Sequence, residues 1–468
     1  MSKQMTRSAV DMTEGKPSLK IIQFAIPLLF SNLFQQLYNT VDSAIVGNYL
    51  GTKALAAVGA GFPVMVIVFS AFIGLGMAST IMVGTAVGAR DRERVNLIIS
   101  SVYRFSFYLI IPMSIASVLL TNPILRLLNV PDDGTLTMAT QYLQVIFLGL
   151  FATIGYNTNV GFFQGLGDSI TSLKLLIFST IVNIGLDFLF VVSFSMGVMG
   201  AALATVVAQA LAWILGLVAL NRHEYVRVHL LHLDLDKSIL KDVLRLGLPM
   251  AMQNALFSLG SMAMISLVNS FGHQFMAGFN SANKIDNFVF LPVQSLANTM
   301  TTYTSQNVGA RQLPRLRKGF KDGLVITMIA CVALVALTYP ASSFLLRIFG
   351  DDPVMIESGL YYLHTVLPFY PLLALLFIFN AVLRGAGQAF MPMFTSLVSM
   401  IFLRVPSAYI LASIKGKEFI FYSYGTGWFF GAILSGCFLA FGKWRPQLIT
   451  QLMRPQAETD TSAPADKN

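Results

Sequence analysis

The sequence predicts an all-α integral membrane protein of twelve transmembrane helices, arranged as two pseudo-symmetric six-helix lobes. Three observations carry that reading. Of 468 residues, 55% are hydrophobic and only 11% are charged, with a mean hydropathy of +0.69. A soluble domain carries about 25% charged residues, so the charge here is too sparse to cover a water-facing surface. Apolar runs of about twenty residues recur along the chain, the length that spans a bilayer. The chain also repeats itself at a spacing of about 220 residues.

Taken in order, a polar segment, 1–20, precedes the first helix, expected at 21–48 with Pro27 and Asp42 inside it. The second and third helices are expected at 54–82 and 95–120. The fourth, 136–158, holds Tyr142; the fifth, 170–194, holds Asn183 and Asp187; the sixth, 198–220, holds Thr205. A loop over 221–238 joins the lobes. The second lobe, 239–443, is expected to hold helices at 239–269, 275–305, 322–340, 359–382, 391–412 and 419–441. The tail, 444–468, is polar and is expected to be disordered.

The repeat is visible in short strings. Pro27 in "FAIPLLF" matches Pro249 in "LGLPMAM", and "VGAR" ends at both Arg90 and Arg311. "QGLGD" around Gly165 matches "RGAGQ" around Gly385, and Tyr142 matches Tyr362. Six helices per repeat place both halves the same way round in the membrane, as in transporters whose parallel repeats are related by an axis along the membrane normal. Two matching lobes favour rocking around a central cleft over membrane enzymology.

The net charge of +9 follows the positive-inside pattern and does not point to nucleic acid. Lys3, Arg7, Lys16 and Lys20, Arg90 to Arg94, Arg222 to Arg245, Arg311 to Lys321, and Lys443 with Arg445 fall in one set of loops. The alternate loops hold little beyond Lys53, Arg126, Arg347, Lys415 and Lys417. Both termini are therefore expected in the cytoplasm, in the inner membrane of a prokaryote. No Walker A string, His/Cys ligand spacing or filter-like loop is present, so neither ATP hydrolysis, a cofactor nor a channel is expected.

Ionisable residues in mid-membrane are costly and are functional candidates by default. Counting from the outer loops at about 1.5 Å per residue puts Asp42, Asp187, Thr205 and Tyr142 roughly 12–15 Å deep, in one layer. Asn183 shares a helical face with Asp187. Two carboxylates so placed can hold a proton between them, and with the amide and hydroxyl oxygens they offer hard ligands to Na+. The bland alternative is that each aspartate only bonds a neighbouring helix. The second lobe has Ala263 or Met264 where Asp42 would repeat, and holds instead Lys284, Asp286 and Arg404, either a structural ion pair or a coupling group. His364 reads as a packing residue. Pro27 and Pro249 are hinge candidates or static bends. Gln35, Gln36, Tyr38, Asn39, Gln253 and Asn254 are candidates for lining a substrate cleft.

The string "AIPLLFSNLFQQLYNTVDSAIVGNYLG", the repeated "VGAR" and the "QGLGD" loop resemble the multidrug and toxic-compound extrusion (MATE) family over about residues 15–445. The resemblance implies a V-shaped transporter exporting organic cations and other drugs in exchange for Na+ or H+. It implies an ion site at Asp42, Asn183, Asp187 and Thr205, with Tyr142 contributing. The early seventh helix, "PMAMQNALFSLG", lacks the acid of NorM-like members, which favours the DinF-like or MepA-like branch. The expected function is ion-coupled efflux of cationic, amphipathic, drug-like molecules by a monomer in the bilayer. A lipid-linked precursor flippase of related fold is the alternative.

Overall fold

The computed structural model describes residues 9–227 and 233–442. Lys3, Arg7, Lys443, Arg445, the tail over 444–468 and residues 228–232 of the inter-lobe loop lie outside the described residues. No strand occurs among the described residues.

In the first lobe, α1 is Pro17–Ile45, ended by a π-helical turn at Val46–Leu50, and α2 is Gly51–Gly88. Helix α3 is Arg92–Leu127, and α4 is the pair Thr135–Leu148 and Leu150–Gly165, bent by 55°. Helix α5 is Ser169–Asp187 with a π-helical turn at Phe188–Ser193, and α6 is Gly197–Arg222. In the second lobe, α7 is Lys237–Asn269, α8 is His273–Gly309 and α9 is Leu313–Arg347. Helix α10 runs through Pro353–Val366, a 3-10 turn at Leu367–Phe369, and Tyr370–Gly385. Helix α11 is Phe390–Ser396, a π-helical stretch Leu397–Arg404 and Val405–Lys415; α12 is Lys417–Phe421 and Tyr422–Phe441.

Length and hydropathy alone pick out 9 spans among the described residues. Twelve are present for three reasons. The stretch Pro17–Gly88 scores as one but holds α1 and α2. The bend divides α4. And α8, with Asn280, Asn283, Asn287, Gln294 and Asn298, is too polar to score. A helix of that composition is stable in a bilayer only if its polar face meets protein or a cavity, and most of the second half of α8 is buried. Helices α3 and α9 outrun their expected spans of 95–120 and 322–340. Their basic first turns are helical, continuing the helices beyond the apolar runs that set those spans.

The repeat holds at the level of backbone geometry. Arg90 and Arg311 both adopt left-handed φ angles, 58° and 57°. After each, the next residue's N–H returns to the preceding helix: Asp91 to the Ala86 carbonyl and Gln312 to the Asn307 carbonyl, both at 3.0 Å. These are Schellman-type helix ends. The glycines of "QGLGD" and "RGAGQ" are also equivalent. A Cβ on Gly165 would lie 2.8 Å from the Thr80 carbonyl oxygen, and one on Gly385 2.5 Å from that of Thr301. Only glycine lets α4 lie this close to α2, and α10 to α8.

The lobes join at the arginine-rich end. Gly88 packs against the Gln306 carbonyl and Gly309 against the Thr85 carbonyl, a reciprocal contact between the two "VGAR" strings. The segment before α1 straps this junction. Val10 N–H donates to Gly167 O (2.8 Å) on the first lobe, and Met12 N–H to Gln306 Oε1 (3.1 Å) on the second. The Arg315 guanidinium donates to the carbonyls of Met12, Glu14 and Gly15. Glu14 pairs with Arg90 at 2.8 Å.

Candidate functional site

Helices α1 and α5 bring Asp42 and Asp187 together, their carboxyl groups within hydrogen-bonding reach of each other. Both precede π-helical turns, and those turns touch through an edge-on contact of Tyr49 and Phe188, with ring centroids 5.9 Å apart. Widened turns of this kind shift the register of a helix and are frequent at functional sites. Around the pair stand Asn183, Tyr142, Tyr38 and Tyr156. Thr205 Oγ1 organises one side. It donates to Ala201 O (3.2 Å) and accepts from Tyr38 Oη (3.3 Å) and Asn183 Nδ2 (3.4 Å).

This leaves an unusual set of acceptors. Asp42 Oδ1, both Asp187 oxygens and Asn183 Oδ1 are buried with no hydrogen-bond donor. Buried acceptors without donors are strongly disfavoured. Two carboxyl groups facing each other this far from water resist ionising together, and a proton or a cation between them relieves that cost. The oxygen set fits either: one shared proton, or Na+ held by hard oxygens.

The other residues singled out in the sequence divide between two further places. Gln253 and Asn254 line a cavity of about 450 Å³ between the lobes, together with Gln164, Asn298, Asn380 and Arg384. Tyr38 is committed to Thr205 in the aspartate cluster. Gln35 and Asn39 are exposed, bond each other at 3.5 Å and are absent from the lining of this cavity. Pro27 and Pro249 are half-buried inside α1 and α7, and Ser31 Oγ bonds the Pro27 carbonyl at 2.9 Å.

The second-lobe group lines an adjoining cavity of about 620 Å³, which shares Phe257, Phe290 and Phe377 with the central one. The Asp286–Arg404 ion pair considered from the sequence is not a direct contact. Asp286 Oδ1 accepts from Tyr370 Oη (2.5 Å) and Oδ2 from Tyr362 Oη (3.1 Å). Arg404 lies over the Tyr424 ring, 3.3 Å from its centroid. Two phenols satisfy the carboxyl oxygens, and Arg404 acts on Asp286 through space without a direct bond. Exposed Lys284 turns to the Phe349 ring, 5.4 Å away. His364 is exposed and stacks on Tyr339 at 4.3 Å.

Two residues were missed from the sequence. Arg384 is 6% exposed and lines the central cavity; its place in "RGAGQ", repeating Gln164 of "QGLGD", is a signal for it. Asn32, on α1 between Pro27 and Asp42, donates to Ser295 Oγ of α8 at 2.9 Å, a bond from one lobe to the other that no local pattern announces.

This architecture has close counterparts. The chain is 28% identical over 438 residues to the probable multidrug resistance protein YpnP of Bacillus subtilis, covering 93% of this chain and 98% of the relative. It is 21% identical over 409 residues to a FAD transporter of Shewanella oneidensis, covering 85% and 89%. A solved outward-facing multidrug resistance MATE family transporter of the MOP superfamily shares the fold, with a TM-score of 0.87 at 24% identity over 96% of this chain and 100% of that one. The sequence profile of the MatE family matches residues 27–189 and 249–410, segments that begin at the two equivalent prolines and run through α1–α5 and α7–α11, and the chain belongs to that family.

Proposed function

We propose that this multi-pass membrane protein is a secondary active multidrug efflux antiporter that couples export to entry of H+ or Na+ at Asp42 and Asp187. The observation carrying the proposal is the pair of neighbouring carboxyl groups in α1 and α5, whose buried oxygens have no donor. The lobes over 21–220 and 239–443 would move as units around the central cavity, with both termini and the arginine-rich end in the cytoplasm. A single chain holds both the ion site and the cavity, which supports a functional monomer.

Helix α1 is the element suited to transmit the ion's arrival. It carries Asp42 and Tyr38 toward the first lobe and Asn32 toward the second. When a proton or Na+ joins the carboxyl groups, their repulsion is relieved and α1 settles on α5. When the ion leaves, α1 is pushed away, with Pro27 as the point where it bends. Export requires ion and cargo to favour opposite arrangements of the lobes.

Relatives differ in cargo, as the FAD transporter shows by its name, so charge preference has to be read from this chain's own cavity. The cationic cargo expected from sequence finds no carboxylate among the described residues of that lining. The test uses purified protein in liposomes under an imposed proton or Na+ gradient, with a fluorescent drug-like dye as cargo. Asp42→Asn is expected to cut gradient-driven export by about tenfold or more. Full export by a well-incorporated Asp42→Asn protein rejects the coupling site, and swapping the gradients identifies the ion.

A further inference from the structure

The cavity between the lobes combines an aromatic wall with one buried charge. Phe257 and Phe290 flank Phe377, at centroid distances of 6.2 Å and 5.0 Å, and all three line the cavity. Among its described lining residues, Arg384 is the one charged side chain. Arginine stays protonated and presents five donors in a planar fork. Here the chain supplies little to accept them. Nη1 reaches Gln253 Oε1 only at 3.4 Å, and Nε is buried with no partner. None of the ion pairs among the described residues involves Arg384.

The surroundings hold the fork in place without neutralising it. Gln253 Nε2 donates to Ser396 Oγ (2.7 Å) and Pro392 O (3.2 Å), which fixes the amide with its oxygen toward Arg384. Arg384 also sits in the last turn of Tyr370–Gly385, where the helix dipole favours a cation. That explains how the charge is tolerated. It does not supply the planar pair of acceptors that a desolvated guanidinium takes best. The repeat sharpens the point, because the equivalent residue in the first lobe is neutral Gln164, which lines the same cavity. The charge is a one-sided addition to a symmetric frame.

We infer that Arg384 receives the oxyanion of the cargo, so that the cavity favours aromatic, amphipathic molecules bearing a carboxylate or phosphate, as anions or zwitterions. This rests on the proposal that the cavity is the transport cavity. A volume of about 450 Å³ accommodates a drug-sized ring system. The three phenylalanines would take the ring and the guanidinium the acid.

Equilibrium binding to purified protein in nanodiscs tests this without requiring transport. Two matched fluorescent pairs serve as probes: a xanthene dye with a free carboxylate against its methyl ester, and riboflavin phosphate against riboflavin. Wild type is expected to prefer the acid of at least one pair by about tenfold or more, since a buried charged donor rejects a ligand that leaves it unpaired. The pair that shows the preference tells carboxylate from phosphate. In Arg384→Gln the ratio should fall to about one, and Arg384→Lys, which keeps the charge but loses the fork, should lie between. No acid preference in wild type, an unchanged ratio in Arg384→Gln, or no binding of any probe each overturns the inference. Absence of acid preference in wild type with gradient-driven export intact confines a failure to the cargo assignment. Full export by Asp42→Asn with the acid preference intact confines a failure to the antiport proposal.

Discussion

A carboxyl group facing another carboxyl group, a guanidinium with one long hydrogen bond and an imidazole nitrogen without a partner are the residue-scale features that single out this chain. The third is His223, which ends α6 outside the membrane-spanning segments. Burial pushes its pKa below the usual 6.5, against the opposing pull of Asp168 and Glu224, and its Nε2 is buried without a partner. A histidine whose folded pKa is depressed is neutral in both states above the unfolded value. Stability falls as pH drops below about 6.5, because the unfolded chain takes up the proton first. Wild type should therefore lose melting temperature relative to His223→Gln as pH drops through about 6.5. Identical pH profiles for the two proteins would refute this. The sequence disclosed Asp42 and Asp187 because a carboxylate in an apolar run is conspicuous. It hid Arg384, since a basic residue beside a glycine turn at a helix end reads as a headgroup anchor. Only the packing of α2, α4, α7, α8 and α10 shows that this helix end faces a cavity.

At the scale of elements, the repeated "VGAR" string acquires a second role. The left-handed Arg90 and Arg311 make it a helix end. What spacing does not reveal is that Gly88 and Gly309 form the floor on which the lobes meet, each against a carbonyl of the other lobe. Periodicity reports a helix's own faces, not which element will lie against them. The strap over residues 9–16 was equally illegible, because it reaches Gly167, Gln306 and Arg315 through its own backbone N–H and carbonyl groups, which carry no side-chain signature. A side chain at Gly88 would hold the lobes apart at this end. Gly88→Val is expected to lower export about tenfold or more. In a background with Cys331 and Cys437 replaced by alanine, a cysteine at the cavity residue Asn298 should react faster with a thiol reagent applied from the arginine-rich side. Unaltered export and unaltered reactivity would show that this contact does not close the cavity.

Across the whole molecule, the symmetry of the backbone contrasts with the asymmetry of its charges. The first lobe holds the donorless aspartate pair, the second holds Asp286 already satisfied by Tyr362 and Tyr370, and the central cavity has Arg384 opposite Gln164. The proposed ion site and the proposed cargo-binding arginine belong to different lobes, so one can govern the other only through a link between lobes. The bond from Asn32 of α1 to Ser295 of α8 is placed to be that link, since Asn32 shares its helix with Asp42 and Ser295 is 1% exposed on a helix that lines the cavity. Asn32→Ala removes the link without touching a carboxyl group or Arg384. Dye binding at equilibrium should stay within about twofold of wild type, while gradient-driven export falls by roughly fivefold or more. Ser295→Ala should do the same, and the double variant should be no worse than either single one, because both changes delete one interaction. If the two losses add, the residues act separately and the coupling between lobes runs through other contacts, with the glycine floor at Gly88 and Gly309 the next place to look for it.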